Sequence, residues 1–117
     1  SVFAYVLQSR SFFYLDDLIL GFESLMASDC QQPLNLGQDR MISILDLVRI
    51  VSDAAQHPVT IQHIDGPQGV RGRNSNNART QDVLNWRPQI PLEKALAETY
   101  SWIEEQVRSR VKDPVCK

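Results

Sequence analysis

The sequence predicts one mixed α/β (α+β) domain over residues 1–117, with about four helices and three short strands. Apolar residues recur at helical spacing in four places, and short β-branched or aromatic runs lie between them. The composition, 43% hydrophobic and 22% charged, is that of a chain able to bury one small core.

The opening stretch up to Tyr14 is β-branched and aromatic and reads as a strand. Asp16 and Asp17 then suit the start of a helix as capping groups, with Leu18, Gly21, Phe22, Leu25 and Met26 on its apolar face. "QPLNLGQ" reads as a short strand closed by Gly37. Ser43 is placed to cap a second helix, with Asp46 three residues on and Leu45, Leu47, Val48, Ile50 and Val51 as its buried side. "PVTIQHI" alternates and is rich in branched residues, so it predicts a strand. "NARTQDVLNW" predicts a short helix that stops before "RPQIP", because proline lacks an amide hydrogen and restricts the residue before it. The last helix follows Pro91, with Leu92, Ala95, Leu96, Thr99, Tyr100, Trp102 and Ile103 as its stripe.

Several classes of function are disfavoured. A net charge of −2, with twelve Lys and Arg scattered along the chain, makes no field for nucleic acid. No apolar run approaches the roughly 20 residues of a membrane span, and no signal pattern opens the chain, so a cytoplasmic protein is expected. Cys30 and Cys116 lack metal-ligand spacing, and no metal is expected. His57 and His63 have no nucleophile or acidic orienter in motif relation, and read as a loop residue and a strand residue.

"GPQGVRGRNSNN" carries Gly66, Gly69 and Gly72 as G-x-x-G-x-x-G, between a predicted strand and a predicted helix. A dinucleotide loop would need a second parallel strand beyond the helix, ending in an acidic residue. Here "WRPQIPLEK" comes next, and Pro67 removes an amide from the loop. Two readings stay open: glycines that only make turns, or a flexible backbone presenting Arg71 and Arg73 to a phosphate.

"RSFFYLDD", "PLNLGQDRMIS", "IDGPQGVRGRNSNN", "LNWRPQIPLEKAL" and "TYSWIEEQ" together resemble, in order and spacing, the C-terminal part of the NAD-dependent epimerase/dehydratase family, the extended short-chain dehydrogenases. The resemblance runs from about residue 8 to 108, while residues 1–7 and the tail after Arg110 depart from it. It implies a substrate-binding portion without a complete Rossmann domain, and a GDP-sugar as ligand. Gln8, Ser9, Arg10 and Arg73 take the positions that hold the sugar-nucleotide diphosphate, with Arg71 as a second loop arginine. Asp16 and Asp17 take a structural, helix-capping position.

The family's chemistry also implies a glycine fingerprint for NAD and a Tyr-x-x-x-Lys dyad. Tyr5, Tyr14 and Tyr100 are followed four residues later by Ser9, Leu18 and Glu104, so the dyad is not in this sequence. The expectation is a truncated or remnant epimerase portion with no catalytic residues and no bound NAD. The rivals are an interaction module on the same scaffold, or half of a split enzyme. A homodimer is expected, with exchange of the segment from Val2 to Tyr14 as one route, because Leu18, Phe22, Leu34 and Leu36 would otherwise face water.

Overall fold

The computed structural model describes residues 2–4, 8–64 and 70–112. Its elements run β1 (Val2–Ala4), β2 (Ser9–Ser11), α1 (Leu15–Ala27), β3 (Met41–Ser43), α2 (Ile44–Ala55), β4 (Ile61–His63), β5 (Gly72–Arg73), α3 (Ala78–Leu84) and α4 (Leu92–Lys112). The mixed α/β class and the four helices are those the sequence predicts. The strands are shorter, and some lie elsewhere.

Two small sheets organise the strands. In one, β1 and β4 pair in parallel, Val2 opposite Ile61. In the other the order is β3-β2-β5, antiparallel between β2 and β3 and parallel between β2 and β5. The predicted strand at "PLNLG" is not one. Asn35 is held by side chains instead: its carbonyl accepts from Thr80 Oγ1 at 2.5 Å, and its amide nitrogen donates to the Asn76 carbonyl at 3.3 Å. The ladder next to β2 is filled by Met41–Ser43, which leads straight into α2.

Helix signals hold where they are local. Ser43 Oγ accepts from the Asp46 amide at 3.0 Å, which caps α2. That helix closes on Gln56 in the left-handed region, and α3 closes on Asn85 in the same way, before Pro88. At α1 the capping expectation is corrected. The helix begins at Leu15 behind Tyr14 with no side-chain cap, and both aspartates lie in its first turn, where the helix dipole favours negative charge. Asp17 has a structural task of another kind. Buried to 1% exposure, it accepts from the backbone amides of Gln89 and Ile90 at 3.1 and 2.9 Å and so ties α1 to the proline-rich approach to α4.

Packing is thin. Of the described apolar side chains only Ile42 and Ala95 are buried. α2 lies against α4, and Phe13 meets Trp86 edge to face at 6.1 Å. Trp86 in turn sits on Gly21, where an added Cβ would come within 3.1 Å of the indole. The predicted stripe of α4 is buried or half-buried at Leu92, Ala95, Leu96 and Tyr100, but Trp102 and Ile103 are exposed, as are Phe22 and Met26 on α1. A helical period marks an apolar face without saying what covers it.

Candidate functional site

β2 is the middle strand of its sheet, and its register decides the site. Arg10 stands opposite Ile42 on one side and opposite Arg73 on the other. Directly paired residues share a face of a sheet, and successive residues alternate. Arg10 and Arg73 are therefore neighbours on one face. Ser9, paired with Ser43 and Gly72, is on the other.

Gln8 lies beside the Arg10 guanidinium, and its Oε1 accepts from Arg10 Nη2 at 3.1 Å. The same guanidinium also donates to the Ser9 carbonyl at 2.8 Å and to the Val70 carbonyl at 2.7 Å. Ser9 meets the incoming segment through its backbone, its amide donating to the Arg71 carbonyl at 2.9 Å. Gln8 and Arg10 thus meet through their side chains, Arg73 lies beside Arg10 on the same face, and Ser9 and Arg71 join them through backbone alone. Arg71 and Arg73 are exposed, and their guanidinium groups make no hydrogen bond or ion pair with another described residue.

Gly72 corrects one expectation. It lies in β5, not in a turn, and its φ is not positive; a Cβ there would meet only Met41 Cε at 3.4 Å. Gly66, Pro67 and Gly69 lie outside the described residues, as do Tyr5 and Cys116.

Beyond Arg73 lies a polar seam, in a stretch whose sequence reads as a plain loop. Asn77 Nδ2 donates to Asp39 Oδ1 at 2.7 Å, Ser75 Oγ to Asn77 Oδ1 at 3.0 Å, and Asn74 Nδ2 to the Asp39 carbonyl at 3.2 Å. Gly37 lets the two loops approach, since a Cβ there would collide with Ser75 Oγ. The run of asparagines was the available signal, because Asn bonds local backbone and suits turns. Its partner, Asp39, had none.

Other chemistry is not assembled nearby among the described residues. Tyr14 donates to Glu98 Oε2 at 3.0 Å, and that carboxylate pushes the phenol pKa up, the opposite of what a proton-abstracting tyrosine requires. His57 is an exposed loop residue and His63 an exposed residue of β4. Among the described residues no cluster of three or more His, Cys, Asp or Glu could hold a metal, and no helix is long and apolar enough to cross a membrane. A cavity of about 310 Å³ between α2 and α4 is lined by Leu47, Val48, Val51, Ala55, Val59 and Tyr100 with only Ser52 and His57 as polar neighbours, which does not suit a diphosphate.

No family model matches the sequence. GDP-mannose 3,5-epimerase 1 of Oryza sativa subsp. indica and GDP-mannose 3,5-epimerase of Arabidopsis thaliana are each 41% identical over 101 residues, 86% of this chain and 27% of the relative. UDP-glucuronic acid decarboxylase 6 of Arabidopsis thaliana is 29% identical over 92% of this chain and 30% of its own length. The chain therefore spans between a quarter and a third of these relatives. Among solved structures, UDP-glucose 4-epimerase of Thermotoga maritima with UDP-glucose superposes with a TM-score of 0.82 at 19% identity, over 91% of this chain and 35% of that one. UDP-glucuronic acid 4-epimerase of Bacillus cereus with NAD gives 0.76 at 20%, over 90% and 34%. At such identities the superpositions establish the fold alone.

Proposed function

This chain belongs to the NAD-dependent epimerase/dehydratase family, and from that premise we propose that its residues grip the diphosphate of a nucleotide sugar, with a GDP-sugar as the ligand. The observation that carries this reading is the parallel register of β2 and β5, which sets Arg73 beside Arg10 on one face with Arg71 two residues before it. A planar guanidinium offers paired donors to phosphate oxygens, and these charge-assisted bonds are the strong ones. The guanine base is favoured over uracil because the GDP-mannose epimerases share 41% of aligned residues against 29% for the UDP-glucuronic acid decarboxylase.

Hydride chemistry is assigned to groups other than these, since the sequence contains neither a glycine fingerprint in context nor a Tyr-x-x-x-Lys dyad. Tested by itself, the 117-residue chain is expected to bind no NAD and to turn over no sugar nucleotide. Titration calorimetry with GDP-mannose decides the reading. Arg73→Ala should weaken binding at least about tenfold, roughly 1.4 kcal/mol, and Arg71→Ala less. Equal affinities, or no binding to wild type, would mean that these arginines hold no diphosphate.

A specific observation favours a second reading, in which the scaffold serves association. Leu15, Ile19, Phe22 and Met26 recur along α1 and are 62, 47, 51 and 84% exposed, an apolar stripe of the kind that meets another polypeptide. A second copy of this chain would cover it in a homodimer. The two readings separate in a thermal-shift titration. Ligand at 100 times its dissociation constant stabilises by about 2.7 kcal/mol, whereas a module without nucleotide binding gives no shift. A third arrangement, pairing with a separately encoded NAD-binding chain, would be registered as epimerisation on mixing the two.

A further inference from the structure

β5 is a two-residue strand at the edge of its sheet, set against β2 by the Ser9–Gly72 and Arg10–Arg73 pairs. The residue that follows it, Asn74, donates through Nδ2 to the Asp39 carbonyl at 3.2 Å. The Asp39 carboxylate takes two further donors from the chain downstream, Asn77 Nδ2 at 2.7 Å and Gln81 Nε2 at a longer 3.4 Å. Asn77 is only 4% exposed, and its Oδ1 accepts from Ser75 Oγ at 3.0 Å, so both ends of its amide are used inside the molecule. The loop that carries Asp39 is itself anchored. Met41, two residues on, pairs with Ser11 of β2, and the intervening Arg40 holds the Glu93 carboxylate at 2.7 and 3.0 Å. The two registers place the entry to β3 and the exit from β5 at the same end of the sheet, on either side of β2. Bonds between these two points span the strand that lies between them.

We propose that Asp39 and Asn77 form a clasp across this end of the sheet and act as positioning residues: the clasp fixes where β5 ends, and so where Arg73, its last residue, presents its guanidinium. Neither touches the ligand in this role. A buried amide nitrogen without its acceptor is costly, so loss of the Asp39 carboxylate displaces Asn77 and, with it, the segment that leads back to Arg73. The clasp deepens the diphosphate reading and rests on it only for the ligand measurements.

The test uses the whole chain. Asp39→Leu removes the acceptor and should speed amide hydrogen exchange over residues 73–75 at least about fivefold while α2 keeps its wild-type rates. Unchanged exchange at 73–75, or an equal rise in α2, overturns the clasp. Where Asp39→Leu does not fold, Asp39→Asn, which turns an amide nitrogen toward one of the two donors, should show the same pattern at smaller size. Asn77→Asp sets two carboxylates against each other and should also speed exchange. Joining it to Asp39→Asn exchanges donor and acceptor at unchanged net charge and should recover most of the wild-type protection; no recovery overturns the clasp. Titrations with GDP-mannose then read Arg73. Removing a carboxylate would by charge alone favour an anion. The clasp predicts the opposite sign: Asp39→Leu weakens binding about tenfold if the competent arrangement falls to a tenth of the population. Equal or tighter binding overturns the proposal. In an Arg73→Ala background Asp39→Leu should cost nothing further, and additive losses overturn it as well. If wild type binds no GDP-mannose, the diphosphate reading fails, and exchange in Asp39→Leu and in the swapped pair still decides the clasp.

Discussion

The polar contacts between the loops and the outer face of α1 invert the usual arrangement of a protein. Among the polar contacts, Asp17, Thr80 and Asn77 are 1, 2 and 4% exposed, each with its hydrogen bonds made inside the molecule. Along α1, and along the end of α4, Met26 and Val111 stand 84 and 79% exposed. Directed bonds impose one geometry because a buried donor or acceptor left unpaired is costly. An apolar stripe imposes only that something apolar cover it. The region beside the arginines is therefore ordered by polar chemistry within the chain, and the helix faces are specified for contact without specifying the contact.

Asp17 is where this contrast breaks most sharply. Asp17→Ala strips a charged acceptor from two amides and should cost about 3–5 kcal/mol in chemical denaturation, with Asp17→Asn losing less because one oxygen remains. A loss near zero would mean the polar contacts do not hold the loops. Gly37→Ala comes next. Its Cβ would displace Ser75 Oγ and disturb the Asn77 bond, for about 1–3 kcal/mol. On the other region, Ile19→Ser with Phe22→Ser should cost monomer stability only about 1 kcal/mol at each site, since both side chains are half exposed already. The same pair should abolish concentration-dependent association in light scattering.

The smallest effect is expected at the exposed pair Arg40–Glu93, a two-pronged contact at 2.7 and 3.0 Å between the seam's approach and the first turn of α4. The hydrogen bond from Arg40 lowers the Glu93 pKa below its ordinary 4.5. A carboxylate with a lowered folded pKa contributes stability above its unfolded value and loses it as pH falls through the folded one. The melting-temperature difference between wild type and Glu93→Gln should therefore be flat near neutrality, begin to shrink as pH falls past 4.5 and vanish only below the lowered folded pKa, and high salt should shrink it throughout. A difference that persists in acid would point to packing instead of charge.

Much of the candidate site is legible as a list of residues and little of it as an arrangement. Arg71 and Arg73 stood out because two forks in a glycine-rich stretch are unusual without a polyanion. That Arg10 reaches the Val70 carbonyl had no sequence signal, since its acceptor is a backbone atom that every residue carries. Asp39 carries no signal for a related reason: a single aspartate in a loop shows nothing until Asn77 is brought to it.

What the sequence determined by itself is local. Ser43 with Asp46 placed the start of α2, the prolines bounded α3 and α4, and the helical periods marked which faces are apolar; all act within a turn or two of helix. Only the tertiary structure decided the pairings. Met41–Ser43 took the ladder position beside β2 in place of "PLNLG", Asp17 found its amides 72 and 73 residues away, and Arg73 came to lie beside Arg10. A strand's partner and a buried carboxylate's donors are non-local choices, settled by which segments satisfy one another's hydrogen bonds when the loops close.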